Sequence, residues 1–158
     1  MKNKAILNII LFISIFALAA AYFIEYVLGY KACNLCLIER IPYFLSIIFI
    51  LLGLFFSRIE KIILIMLFLI FASATILSFY HFGIEQGFFK ESLVCTSNDE
   101  INNLNKKDLL KELQTIKISC KDVELRLFGL SLATINTIIS LILSVITLRI
   151  FLNYDKNR

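Results

Sequence analysis

Charge is scarce in this chain of 158 residues: Asp, Glu, Lys and Arg together make up 18% of it, against about 25% in an average soluble domain. A disordered chain has the opposite composition, rich in charge and poor in apolar residues, so disorder is excluded. Lys and Arg number 16 against 12 Asp and Glu, a net charge of only +4. They form no basic patch, which excludes a nucleic-acid partner. Tryptophan is absent, and proline and histidine occur once each, as Pro42 and His81. What fills the chain is apolar: 59% of the residues, against about 45–50% in soluble proteins, with a mean hydropathy of +0.86. The apolar residues fall in long runs that one soluble core could not absorb without large exposed patches. The composition is that of a small membrane protein.

A helix needs about 20 residues to cross a hydrocarbon core of about 30 Å. Four segments qualify, at about 5–28, 37–57, 62–82 and 127–148. The second is apolar only from Ile41 to Phe56 and must borrow the preceding Leu37-Ile38 turn. Backbone polar groups in lipid must be satisfied within the segment, so these are helices. The expected fold is an all-α bundle of four transmembrane helices, in a single domain over 1–158. Lys2 and Lys4 ahead of an apolar run also suit a secretory signal, but the run continues to Leu28, well past a signal's apolar core of about 7–15 residues. We expect it to be kept as a helix. No ionisable residue lies near the midpoint of any of the four segments, which argues against a small transporter.

Four crossings put both termini on one side. The termini and the 57–61 turn carry seven Lys and Arg in a short length of chain, while the opposite side carries nine spread over much more. That density, and Lys2 and Lys4 ahead of the first helix, place the termini in the cytoplasm. Two outer loops result, 29–40 and 83–126. In the second, Leu109, Leu110, Leu113 and Ile116 recur at helical spacing among lysines, as in a short amphipathic helix on the membrane surface. Tyr22, Tyr26, Tyr30, Tyr43 and Tyr80 fit an aromatic belt at the outer interface.

All four cysteines fall in these outer loops and none in a membrane segment. Two pairs on one face point to an oxidising compartment. Four cysteines allow three pairings. For Cys95 and Cys120, a structural bridge closing a loop of about 25 residues would stabilise by roughly 3 kcal/mol. Cys33 and Cys36 form a C-x-x-C, a spacing that constrains little chain but strongly tunes thiols. A zinc site would need a second close pair of ligands, which Cys95 and Cys120 are too separated to supply, so no metal is expected. Cys36 opens helix two, where unpaired N–H groups and the helix dipole favour a thiolate. Arg40 stands four residues on, on the same helical face. Beside a C-x-x-C, a fixed cation there suits a thiolate or a reduced acceptor better than a mere interfacial anchor. Glu39 is free to pair with Lys31 or solvent. His81 gains meaning only if it faces Arg40 across the bundle.

These residues resemble a known family. Cys33-Asn34-Leu35-Cys36-Leu37-Ile38-Glu39-Arg40 is similar to the C-x-x-C-x-x-E-R signature of the DsbB family of disulfide-bond-formation proteins. Tyr80-His81-Phe82-Gly83-Ile84-Glu85-Gln86-Gly87 resembles its segment after helix three, and Phe128-Gly129-Leu130-Ser131-Leu132-Ala133 the start of its helix four. The resemblance covers nearly the whole chain. It departs in lacking tryptophans near the second loop and helix four, where Phe88, Phe89 and Phe128 stand instead. The resemblance implies an enzyme of the inner membrane, a thiol:quinone oxidoreductase with both termini cytoplasmic and its cysteines periplasmic. Cys95 would form the mixed disulfide with a periplasmic thioredoxin-like oxidase of the DsbA type, and Cys120 would be its bridge partner. Cys33 would exchange with Cys120, and Cys36 would face a bound quinone (ubiquinone or menaquinone). Arg40 would stabilise that quinone, with His81 a further contact. A DsbA-type protein sits near −120 mV, and a glutathione buffer at roughly −180 to −210 mV cannot reoxidise it, so the electrons need a stronger acceptor. The competing expectation is a non-enzymatic tetraspan scaffold with static loop disulfides.

Overall fold

Because apolar runs without internal charge form helices wherever the backbone must satisfy itself, nearly the whole of the computed structural model is helical. It describes residues 2–56, 59–90, 95, 120, 125–127 and 129–154. The helices are α1 (Lys2–Tyr26), α2 (Asn34–Ile38), α3 (Arg40–Phe55), α4 (Glu60–Glu85) and α5 (Leu132–Leu152). Two-residue strands β1 (Arg126–Leu127) and β2 (Leu130–Ser131) pair antiparallel just ahead of α5. Four spans are long and apolar enough to cross a membrane: Lys4–Tyr26, Asn34–Phe55, Glu60–Glu85 and Leu132–Leu152. The amphipathic segment expected around 106–117 lies outside the described residues.

The helix boundaries differ from the sequence expectation where local capping takes over. Helix two begins at Asn34 rather than 37, because the Cys33 sulfur accepts the Cys36 N–H and starts the helix as an N-cap. The second half of the 29–40 loop is therefore helical. Helix four begins at Leu132 rather than 127. The chain first doubles back through the β1–β2 turn, where Gly129 adopts φ +82°, a conformation that a Cβ would strain. Ser131 then caps the helix by accepting the Thr134 N–H at 3.2 Å. At its far end the helix continues past Leu148 to Leu152, carrying Arg149 in its last turn.

Helices α1, α3, α4 and α5 pack chiefly as successive neighbours, α1 on α3, α3 on α4 and α4 on α5. One apolar cluster joins Leu7, Ile10, Ile50, Leu64, Phe71 and Leu143. Hydroxyls and small residues sit at helix contacts, as Ser46 Oγ donating to Ser14 Oγ at 3.0 Å does between α3 and α1. That is how helices approach closely when lipid removes the hydrophobic incentive to associate. Large side chains such as Phe12, Phe55 and Ile76 are left exposed, as a lipid-facing surface requires. A second, smaller cluster, at the end of the bundle where α2 starts and α4 ends, gathers Cys33, Leu35, Ile84, Cys95 and Cys120.

Candidate functional site

The C-x-x-C occupies a single helical turn. Cys33 holds the extended backbone of an N-cap, and its sulfur accepts the Cys36 N–H at 3.1 Å. Cys33 is buried, Cys36 is half-buried, and both are free thiols. Hydrogen bonding from Cys36 holds the Cys33 thiol below the usual cysteine range, with burial opposing it. A donor aimed at sulfur favours the charged form, whereas desolvation disfavours it.

Near the end of α4, His81 turns its ring into this turn. Its Nε2 lies 3.6 Å from the Cys33 sulfur and its Nδ1 lies 2.8 Å from Glu39 Oε1. With Glu39 as the acceptor, Nδ1 carries the ring proton and Nε2 presents its lone pair to the thiol. Glu39 is itself fixed, because Asn136 Nδ2 of α5 donates to its Oε2 at 2.7 Å. The same Nδ2 also donates to Ser78 Oγ of α4 at 2.7 Å, and Tyr43 OH of α3 donates to Asn136 Oδ1. Glu85, one turn beyond His81, places Oε1 3.8 Å from His81 Nε2, and among the described residues its buried Oε2 has no hydrogen-bond partner.

Cys95 and Cys120 are bonded to each other, with Cα atoms 5.3 Å apart. Both are buried and pack in one cluster with Cys33. Between the helices lies a cavity of about 350 Å³. Its polar end is formed by Cys33, Cys36, Arg40, His81, Glu85 and Cys120. Its wall is apolar, from Phe16, Ala17, Ala20 and Ile24 of α1 and Ile135 and Ile139 of α5. Arg40 forms an ion pair with Glu25 of α1, and its guanidinium carbon stands 4.9 Å above the Tyr22 ring. Of the six residues singled out from sequence, five line this cavity; Cys95 is tied to it through Cys120.

A model of the family described as disulfide bond formation protein DsbB matches residues 3–150. The chain belongs to the DsbB family. An uncharacterised protein of Rickettsia prowazekii (strain Madrid E), RP370, is 33% identical over 156 residues, covering 96% of this chain and 90% of that protein. No solved structure matches. Membership of the DsbB family, with four spans of transmembrane length, supports a multi-pass membrane protein with a role in disulfide formation.

Several of the site's polar residues were not singled out from the sequence. Glu39 pairs with His81 and Asn136, not with Lys31 or solvent. His81 faces Cys33 and Glu39 rather than Arg40, whose counter-charge is Glu25. Tyr43 is buried against Asn136 and Phe71 instead of standing in the interfacial belt. The signal for Asn136 was available: an amide within an apolar span must find partners inside the bundle. Which helix faced it was not legible.

Proposed function

We propose that this DsbB-family member is an inner-membrane thiol:quinone oxidoreductase that reoxidises a periplasmic DsbA-type dithiol protein. The observation that carries the reading is a free Cys33–Cys36 pair packed against a closed Cys95–Cys120 bridge at the polar end of an apolar cavity. Thiol–disulfide exchange needs a thiolate beside a disulfide, and proximity within one buried cluster supplies it. A partner thiolate attacks Cys95, a second partner thiol completes its disulfide, and Cys95 and Cys120 are left as thiols. Cys120 then exchanges with a Cys33–Cys36 bridge, restoring Cys95–Cys120 and leaving the inner pair reduced. A free inner pair beside a closed outer bridge is the state these exchanges reach once two electrons sit on Cys33 and Cys36.

The residues present fit a quinone headgroup. The cavity is of ligand size, mostly apolar, with few convergent polar groups. A bound quinone would accept two electrons and two protons from the dithiol. Cys36 and Arg40 would hold its polar edge, His81 would hold the proton of a neighbouring thiol through Nε2, and the α1 and α5 side chains would keep water out. Both termini would then be cytoplasmic and the cysteines periplasmic.

The test follows quinone absorbance with purified protein in detergent and a reduced DsbA-type donor. Donor-dependent quinone loss is expected with ubiquinone or menaquinone, absent in Cys36→Ser and reduced about tenfold or more in Arg40→Ala, since removing a group that stabilises developing charge costs at least that much. No turnover with either quinone, with all four sulfurs unreactive, would leave the disulfide-braced scaffold.

A further inference from the structure

The inner dithiol and His81 also make up a set of donors that the redox role does not exhaust. The Cys33 and Cys36 sulfurs and a ring nitrogen of His81 all lie within 4.8 Å of one another. Tetrahedral zinc holds sulfur at about 2.3 Å and imidazole nitrogen at about 2.0–2.1 Å. Those lengths place a sulfur and a nitrogen on one ion about 3.6 Å apart by tetrahedral geometry, and Cys33 Sγ and His81 Nε2 are 3.6 Å apart. The ring is also held as metal-binding histidines are held. Nδ1 is committed to Glu39 Oε1, and Glu39 is anchored by Asn136. Such a carboxylate–histidine pair fixes the tautomer and aims the other nitrogen at the ion. Glu85 brings a further carboxylate to the same ring, with Oε1 3.8 Å from His81 Nε2.

We propose that the reduced Cys33–Cys36 pair, together with His81 Nε2, is a capture site for a thiophilic divalent cation of the Zn²⁺ class. Binding replaces the two thiol protons, which leave to solvent, with two metal–sulfur bonds, and no electron moves. Two thiolates neutralise the ion, so the buried complex avoids the cost of an uncompensated charge. Arg40, on the cavity wall, is paired with Glu25. Closing a Cys33–Cys36 disulfide removes both ligands, so capture belongs to the reduced state alone. In an enzyme of the proposed kind, the bound ion holds the dithiol and stops its reoxidation. Capture itself does not depend on that role, whereas the arrest of turnover rests on it.

The test uses full-length protein in detergent, with Cys95 and Cys120 replaced by serine so that only the inner thiols respond. Cd²⁺ is titrated into the reduced protein while the ultraviolet thiolate-to-cadmium charge-transfer band is followed, and Zn²⁺ is then used to compete it away. One equivalent is expected, displaced by Zn²⁺. The band should vanish when the same protein is oxidised to the Cys33–Cys36 disulfide, a control that needs no further substitution. His81→Ala should weaken affinity tenfold or more, and Glu39→Gln about tenfold, the scale for losing a partner behind a ligand. A reduced protein with no saturable band, or His81→Ala binding as tightly as the parent, overturns the proposal; the second result would mean an ordinary dithiol. Quinone turnover by metal-free native protein is read separately. Turnover without capture sinks this inference alone, and capture without turnover sinks only the proposed function.

Discussion

Cys33 illustrates how much of the chemistry rests on one helical turn. Its sulfur is at once the cap of α2, the acceptor of the Cys36 N–H and the neighbour of His81 Nε2. Hydrogen bonding from Cys36 holds its thiol below the ordinary range. The sign follows: the thiolate is stabilised at and above the ordinary cysteine pKa, and that stabilisation fades as pH falls through the lowered folded-state value. Thiolate absorbance of the reduced inner pair, with Cys95 and Cys120 as serine, should therefore appear at lower pH than for an unperturbed cysteine. In Cys36→Ala, which keeps the backbone N–H but loses the side-chain donor, the onset should move upward. An unchanged onset would mean that the Cys36 side chain does not tune Cys33. The cysteine and arginine positions were legible in the sequence, because C-x-x-C, an adjacent cation and a helix start are local features. The Glu39–His81 contact was not, because it joins residues 42 apart, and the face of α4 turned towards α2 is decided by packing.

Among the elements, one amide of α5 bonds to groups on both sides of it, besides the apolar packing that α5 makes on α4. Asn136 donates to Glu39 and Ser78 and accepts from Tyr43. Hydrogen bonds between membrane helices average about 0.6 kcal/mol, but removing this one takes the donor from both Glu39 Oε2 and Ser78 Oγ and leaves Tyr43 OH with Ser140 Oγ at 3.2 Å. Asn136→Ala should thus cost about 1–3 kcal/mol, the range for unsatisfied buried polar groups, in denaturant unfolding in detergent. A variant as stable as the parent would show that water replaces the amide. The C-terminal end of α4 makes a separate case. Gly83 carries Phe89 against its Cα, so a Cβ there would sit 2.1 Å from Phe89 Cδ2. Gly83 O also accepts the N–H groups of Phe88 and Phe89, which turn the chain off the helix. Gly83→Ala must push the Phe89 ring off Tyr80, on which it stacks with centroids 5.6 Å apart. A loss of about 1–3 kcal/mol is expected, as for other overpacked sites. Four long helices were legible from the apolar runs, because lipid leaves the backbone no alternative. Their ends were not, since the Cys33 cap and the turn at Gly129 act over two or three residues and leave little trace in a hydropathy pattern.

Across the whole molecule, electrons can pass between the two cysteine pairs only if the outer loop delivers Cys95 and Cys120 to the end of α2. Cys33, Cys95 and Cys120 are buried in one cluster, and Cys120 shares the cavity with Cys33 and Cys36. This convergence is a property of the folded bundle rather than of either loop. The Cys33 thiolate can attack the Cys95–Cys120 bridge at Cys120, forming Cys33–Cys120 and releasing Cys95 as a thiol, with no outside oxidant consumed. In the intact chain Cys36 resolves this bridge by attacking Cys33, which closes the inner pair and frees Cys120 as a second outer thiol. Cys36→Ser removes that resolving thiol, so the interloop bridge should accumulate. Proteolysis and mass spectrometry under non-reducing conditions should then recover a peptide pair linked through Cys33 and Cys120, with alkylation moved onto Cys95. If Cys95–Cys120 persists and Cys33 alone is alkylated, the pairs do not exchange within one chain. The outer bridge would then be a structural brace, and the proximity of the two pairs would have no part in electron transfer.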